Sequence, residues 1–192
     1  MLNEIAEQLK NTGYIVLRLP LPQALMQALP ERCHDDGRFL PARVGRGENK
    51  QQITALRGDV ISWLDEENVI DRAYLAWMDE LRAGLNERLF LGLFDYECHY
   101  AIYQPGTAYA VHLDALKGKK NRIISTVLYL NQDWQSDDGG ELLLYEPDNK
   151  DLLTTVVPEF GTMIIFLSEV FPHEVNLSRS TRRSITGWFR VN

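Results

Sequence analysis

Six consecutive residues, Tyr109-Ala110-Val111-His112-Leu113-Asp114, set an imidazole and a carboxylate two positions apart. Along extended backbone successive side chains alternate faces, so His112 and Asp114 are expected on the same side of one strand. Much further along, Pro172-His173-Glu174-Val175 offers a second imidazole in another run with strand character. Two imidazoles and one carboxylate gathered on one face of an ion leave coordination positions open, which is the ligand set of non-haem ferrous oxygen chemistry. The expected centre is therefore iron, held by His112, Asp114 and His173. A His-x-Asp pair alone is weak evidence, because so short a pattern recurs by chance.

Arg182 strengthens the reading. It opens the last run of strand character, on which Arg182, Ser184, Thr186 and Trp188 share one face and Arg183, Ile185, Gly187 and Phe189 the other. A guanidinium turned inward requires an anion, since a buried unpaired charge is costly. A carboxylate-bearing cosubstrate gripped by two parallel hydrogen bonds meets that requirement. Arg183 is the competing clamp; Arg182 is preferred because its register carries Ser184, Thr186 and Trp188 inward with it.

The elements that must position these side chains follow from pattern. Residues 2–10 place Leu2, Ile5, Ala6 and Leu9 at helical spacing, Tyr14 to Leu19 reads as a strand, and Gln23 to Arg32 as a second helix with Pro22 at its first turn. Val69 to Phe90 is the longest helix, with Ile70, Tyr74, Trp77, Met78, Leu81, Leu85 and Leu89 forming a packing stripe against a sheet. Ile53 to Trp63 looks extended, and its Arg57-Gly58-Asp59 is expected to make an internal ion pair or a turn. Between these lies a polar stretch over 38–52, in which Arg43, Gly45, Arg46, Gly47, Asn49 and Lys50 follow the Asp35-Asp36-Gly37 turn signal. It reads either as a solvated hairpin or loop or as a mobile, basic finger closing over a protein or peptide, with Arg43 and Arg46 as candidate substrate contacts.

Downstream of Phe90 the character changes. Glu97–Gln104, Ala108–Asp114, Arg122–Leu130, Glu141–Tyr145, Leu152–Val157, Thr162–Leu167, Glu174–Leu177 and Arg183–Val191 are short strand candidates separated by turn signals such as Gln104-Pro105-Gly106-Thr107 and Asp137-Asp138-Gly139-Gly140. Eight short strands at near-regular intervals indicate a sandwich or barrel, and an eight-stranded jelly roll has an open mouth for a ligand. The expected fold class is mainly β with supporting helices. One domain over 1–192 is expected, with 1–95 as helical buttress and outer strands and 96–192 as jelly-roll core.

Bulk properties narrow the function. At 192 residues, 45% hydrophobic and 24% charged, the chain suits one ordinary globular core. A net charge of -7 argues against nucleic acid as a partner. Two cysteines, Cys33 and Cys98, are too few for a disulfide framework, and Cys98 reads as a buried inert thiol. No basic start followed by an apolar run opens the chain, and the run Met163 to Leu167 is too short to span a bilayer. The expected setting is soluble and cytoplasmic, without a membrane partner. His34 is expected at the surface, and His99 in the core beside a hydrogen-bonding neighbour.

Tyr103-Gln104-Pro105-Gly106, the Tyr109–Asp114 run, Val127-Leu128-Tyr129-Leu130-Asn131, Gly139-Gly140-Glu141-Leu142, Pro172-His173-Glu174-Val175 and Thr181 through Trp188 together form a combination. It resembles the catalytic core of Fe(II)- and 2-oxoglutarate-dependent oxygenases of the prolyl 4-hydroxylase type, especially the hypoxia-inducible-factor prolyl hydroxylases and their bacterial homologues. Arg57-Gly58-Asp59 with Trp63 extends the likeness upstream. The resemblance implies that His112, Asp114 and His173 bind iron. It implies that Arg182 binds the distal carboxylate of 2-oxoglutarate with help from the Tyr129 hydroxyl, and that Tyr103, Leu142, Val127, Thr186 and Trp188 border the pocket. Tyr109 resembles a residue near the active-site mouth, yet strict alternation turns it away from His112, so a bulge or turn is required there. The basic loop after Asp114 departs from any required pattern.

The implied reaction consumes O2 and 2-oxoglutarate, releases succinate and carbon dioxide, uses ascorbate as reductant and hydroxylates a prolyl residue of a protein or peptide. Elongation factor Tu is a candidate target by analogy with bacterial relatives. A hydroxylase of small molecules or free amino acids is the alternative within the superfamily. From another class, a noncatalytic jelly-roll module would use the same ligands to hold a structural metal. A zinc hydrolase is disfavoured because Arg182, Tyr129 and Tyr103 would then lack a purpose.

Overall fold

Asn68 starts the longest helix by accepting hydrogen bonds from the Ile70 and Asp71 backbone N–H groups at 3.0 and 3.3 Å, a side-chain cap on otherwise unpaired donors. The structure, a computed structural model, describes residues 1–34, 37–42, 58–115, 121–147 and 151–192. Among the described residues three α-helices, α1 (Leu2–Asn11), α2 (Gln23–Arg32) and α3 (Val69–Leu89), lie on one side of the large sheet. Along α3, Tyr74, Met78, Leu81 and Leu85 are buried at three- and four-residue steps. Each contributes roughly 2 kcal/mol relative to an exposed side chain. Pro22 stands just before α2, at its N-cap rather than inside its first turn.

The strands are β1 (Tyr14–Arg18), β2 (Leu40–Pro41), β3 (Asp59–Trp63), β4 (Asp95–Tyr103), β5 (Tyr109–His112), β6 (Arg122–Tyr129), β7 (Leu142–Tyr145), β8 (Leu152–Val156), β9 (Thr162–Leu167), β10 (His173–Val175) and β11 (Arg182–Arg190). They form two antiparallel sheets, ordered β1-β9-β6-β11-β4-β3-β2 and β5-β10-β7-β8. The eight strands expected after Phe90 are β4 to β11, and with the smaller sheet facing the larger they make the expected jelly roll. β2, only two residues long, is not among the expected strands: Leu40 and Pro41 fall in the polar stretch and pair with Ile61 and Val60 of β3. Arg57 lies outside the described residues, while Asp59 is a buried strand residue and not part of a turn.

The large sheet has two faces of different character. Tyr100, Ile102, Ile124, Leu128, Met163, Ile165, Ile185 and Phe189 point at the helices and fill the main core with Leu9, Met78 and Leu85. The intervening residues point at the small sheet. Cross-strand register aligns them in rungs: Asp59–Tyr103–Arg182, then Ile61–Ala101–Ser184–Tyr129, then Trp63–His99–Thr186–Val127, and Glu97–Trp188–Ser125–Phe166. This inner face is the floor of the site. The small sheet supplies its roof, with Leu142 and Leu144 packed on Val127, Tyr129 and Phe166. No described helix is long and apolar enough to cross a membrane.

Candidate active site

His112 closes β5, His173 opens β10, and the two are paired across the strands with ring centroids 4.2 Å apart. Asp114 is not on the strand. β5 ends at His112 and the chain bends at Asp114, so strand alternation is not what brings the carboxylate to the imidazole. The bend is held by Ala115, whose N–H donates to the Ser168 carbonyl at 3.3 Å. It leaves Asp114 Oδ1 3.7 Å from His112 Nε2 and Oδ2 3.6 Å from His173 Nε2. One donor atom from each residue lies within 4.8 Å of the others, a spacing that can close on a single ion.

Hydrogen bonding sets the tautomers. Nδ1 of His112 meets the Ala110 carbonyl at 2.9 Å, and Nδ1 of His173 meets the Phe171 carbonyl at 3.1 Å. A carbonyl only accepts, so each Nδ1 carries a hydrogen, and in the neutral ring each Nε2 turns a lone pair towards the site. Such backbone partners fix ring orientation and make imidazoles better ligands. The Asp114 carboxyl is ready as well. Burial would raise its pKa, but the positive charge of the His173 and His112 rings in their protonated form, the Ser125 hydroxyl and the Trp188 indole outweigh burial and hold it at about 2.

Deeper along the floor lies Arg182, 1% exposed. Its Nε donates to the Gly140 carbonyl at 2.8 Å and Nη1 approaches the Ser184 hydroxyl at 3.4 Å. No carboxylate of the described residues pairs with it. The guanidinium carbon sits 5.0 Å from the Tyr103 ring centroid and 4.9 Å from that of Tyr129. The buried Tyr129 hydroxyl has no hydrogen-bond partner among the described residues. Burial raises its pKa, offset in part by Arg182, so it stays a protonated donor. A buried cation without an anion beside a donor without an acceptor fits a small carboxylate ligand. Arg183 points to the other face and gives its Nε to the Cys33 carbonyl at 3.1 Å, which removes the competing clamp from the pocket.

The other expected residues gather on the same surfaces. Val127, Tyr129 and Leu142 pack together, Thr186 is half-buried beside them, and Trp188 is buried under the Arg122 guanidinium at 3.6 Å. Tyr109 stacks on the His112 ring at 3.7 Å and 18°, and the register explains how: three steps on β5 oppose two on β10. That extra residue is a β-bulge, the device its placement required. Arg43 and Arg46 lie outside the described residues. His34 is exposed, and His99 is buried between Trp63 and Trp188 with Nδ1 3.2 Å from the Tyr100 carbonyl. Sequence reasoning missed Ser125 and Ser168, buried hydroxyls behind Asp114, and Phe166, which meets the His173 ring edge-on at 4.8 Å. Alternation does put Ser125 on the inward face with Val127 and Tyr129, a polar residue where apolar ones are expected, and that was the available signal.

A jelly roll whose inner face gathers two imidazoles and a carboxylate, with a buried cation further in, defines the class of non-haem metal oxygenases. The chain belongs to the 2OG-Fe(II) oxygenase superfamily: the family model matches residues 98–190, and a relative 38% identical is covered over its whole length. A prolyl-4-hydroxylase from Pseudomonas putida is 38% identical, superposes with a TM-score of 0.90, and is covered over 100% of both chains. A Trichoplax adhaerens prolyl hydroxylase, solved with a peptide fragment of the hypoxia-inducible-factor oxygen degradation domain, is 27% identical with a TM-score of 0.85, over 98% of this chain and 88% of that one. Human Egl nine homolog 1 is 28% identical over 165 residues, 81% of this chain but 38% of that protein, so the chain spans well under half of that relative. The family implies ferrous iron, 2-oxoglutarate and O2.

Proposed function

We propose that the protein hydroxylates a prolyl residue in a protein substrate at its trans-4 position, converting 2-oxoglutarate to succinate and carbon dioxide, with ascorbate keeping the metal ferrous. The observation that carries the reading is the buried Arg182, with no carboxylate partner among the described residues, beside the Tyr129 hydroxyl, which has no hydrogen-bond partner among them either, on the same floor as the three-residue cluster. The prolyl preference draws on the likeness to prolyl hydroxylases. When bound, ferrous iron and 2-oxoglutarate supply the oxygen activation that puts a hydroxyl on an unactivated C–H bond.

The protein's own residues do the rest. His112 and His173 present Nε2, Asp114 presents an anionic oxygen, and the triad leaves positions open. Arg182 and Tyr129 would hold the far carboxylate of the keto acid, the one by charge and the other by its hydroxyl hydrogen. Val127, Leu142 and Phe166 keep that end of the pocket dry. Tyr109 borders the mouth, and Thr186 and Trp188 line the pocket with Tyr103. Residues 1–95 serve as a buttress within one domain, since α1, α2 and α3 complete the core of the large sheet. The free thiols Cys33 and Cys98 suit a cytoplasmic setting.

Elongation factor Tu is the first target to test. Purified protein with iron, 2-oxoglutarate and ascorbate is incubated with cell extract, and peptides are searched for prolines heavier by one oxygen atom. A modified proline in elongation factor Tu or another protein supports the reading. Succinate formation stimulated by a free metabolite, without any modified proline, moves the protein to small-molecule hydroxylation; no succinate under any condition leaves a metal-binding module.

A further inference from the structure

Behind Asp114 the inner face of β6 carries a hydroxyl where packing alone calls for an apolar group. Ser125 is 0% exposed, as is Ser168 just beyond β9. Ser125 Oγ donates to Asp114 Oδ2 at 2.6 Å and lies 2.9 Å from Ser168 Oγ. The direction of the pair follows from counting hydrogens. A carboxylate only accepts, so the single hydroxyl hydrogen of Ser125 is committed to Asp114, and Ser168 must donate its own to the Ser125 oxygen. The chain therefore runs one way, from Ser168 to Ser125 to Asp114, and each bond polarises the next. Ser168 also fixes the backbone on both sides: its N–H donates to the Ile123 carbonyl at 3.0 Å and its carbonyl accepts from Ala115, the residue after Asp114, at 3.3 Å.

We infer that Ser125, backed by Ser168, is a positioning residue that holds the Asp114 carboxylate in the orientation in which its oxygens face Nε2 of His112 and Nε2 of His173. The inference rests on His112, Asp114 and His173 being the metal ligands. Partners behind a metal ligand matter at the scale of 10- to 100-fold in affinity or activity.

The test uses the metal alone on purified full-length protein. Ser125→Ala is expected to weaken Mn(II) binding about tenfold and to change the visible absorption of the Co(II) form, which reports coordination number. Ser125→Thr keeps the hydroxyl and is expected to restore both. Ser168→Ala is expected to weaken Mn(II) binding less, and to add nothing in the Ser125→Ala background. Circular dichroism and melting temperature establish that each variant folds; should Ser125→Ala not fold, Ser168→Ala against wild type carries the same comparison. Wild-type Mn(II) affinity and an unchanged Co(II) spectrum in folded Ser125→Ala overturn the inference. Failure of the ligand assignment looks different: wild-type protein then binds Mn(II) no better than Asp114→Ala.

Discussion

At the scale of single residues, the pocket depends on Arg182 being both buried and without a carboxylate partner among the described residues. A guanidinium in that position is retained at a cost in stability unless a ligand completes it. Arg182→Ala is expected to raise the 2-oxoglutarate concentration for half-maximal turnover on the order of 10- to 100-fold, the worth of a charge-assisted pair, while leaving Mn(II) affinity unchanged. Kinetics against 2-oxoglutarate together with a metal titration check this. An unchanged requirement would return the clamp to Arg183, although that side chain is engaged by the Cys33 carbonyl. The arginine was legible in the sequence because alternation on β11 is unbroken from Arg182 to Phe189, so one choice of face settles every neighbour. Asp114 was legible for a reason that does not hold: it reaches His112 through a bend after β5, with Ser125 and the Ser168 carbonyl holding it there.

At the scale of elements, bulges and close approaches decide what alternation alone does not. Tyr109 stacks on His112 because β5 carries one residue more than β10 across the pair, and no periodic pattern announces an extra residue. Gly187 is a second case. A Cβ there would collide with the Tyr96 phenol and with Cys98, whose Cβ lies 2.6 Å from that position. Tyr96 in turn hydrogen-bonds Thr126 at 2.7 Å and Tyr74 at 3.3 Å, joining β4 to β6 and α3. Gly187→Ala is therefore expected to destabilise the fold by about 3 kcal/mol, as overpacking of a filled core does, seen as a lower urea midpoint. Tyr96→Phe in the same background is expected to recover part of the loss by removing the phenol oxygen. The eight strands of the jelly roll were readable from turn signals and short apolar runs, whereas two-residue β2 offers too little chain for any period to show.

At the scale of the whole molecule, one buried carboxylate ties the helices to the large sheet. Asp71 on α3 accepts from Arg32 Nε and Nη2 of α2, both at 3.1 Å, from the Tyr100 hydroxyl of β4 at 2.7 Å and from the Asp65 N–H at 3.0 Å. Burial opposes its charge, but these donors overcome burial and leave its pKa below the ordinary value. A depressed carboxylate contributes stability that is present above its unfolded pKa and lost as pH falls through the folded one. Stability is therefore expected to decline on the acid side, and Asp71→Asn to flatten that limb while costing about 3 kcal/mol near neutrality, where Arg32 and Tyr100 lose their anionic partner. Urea melts of both proteins across the acid range check the sign. Nothing in the sequence marked Asp71, because its partners come from three separate elements. The central claim is that His112, Asp114 and His173 hold ferrous iron while Arg182 holds 2-oxoglutarate against it. Anaerobic addition of Fe(II) and 2-oxoglutarate, followed by visible absorption, tests this directly. A charge-transfer band is expected in the wild type, absent in Asp114→Ala, and recovered in Arg182→Ala only at raised 2-oxoglutarate; no band in the wild type, or the same band in Asp114→Ala, would contradict it.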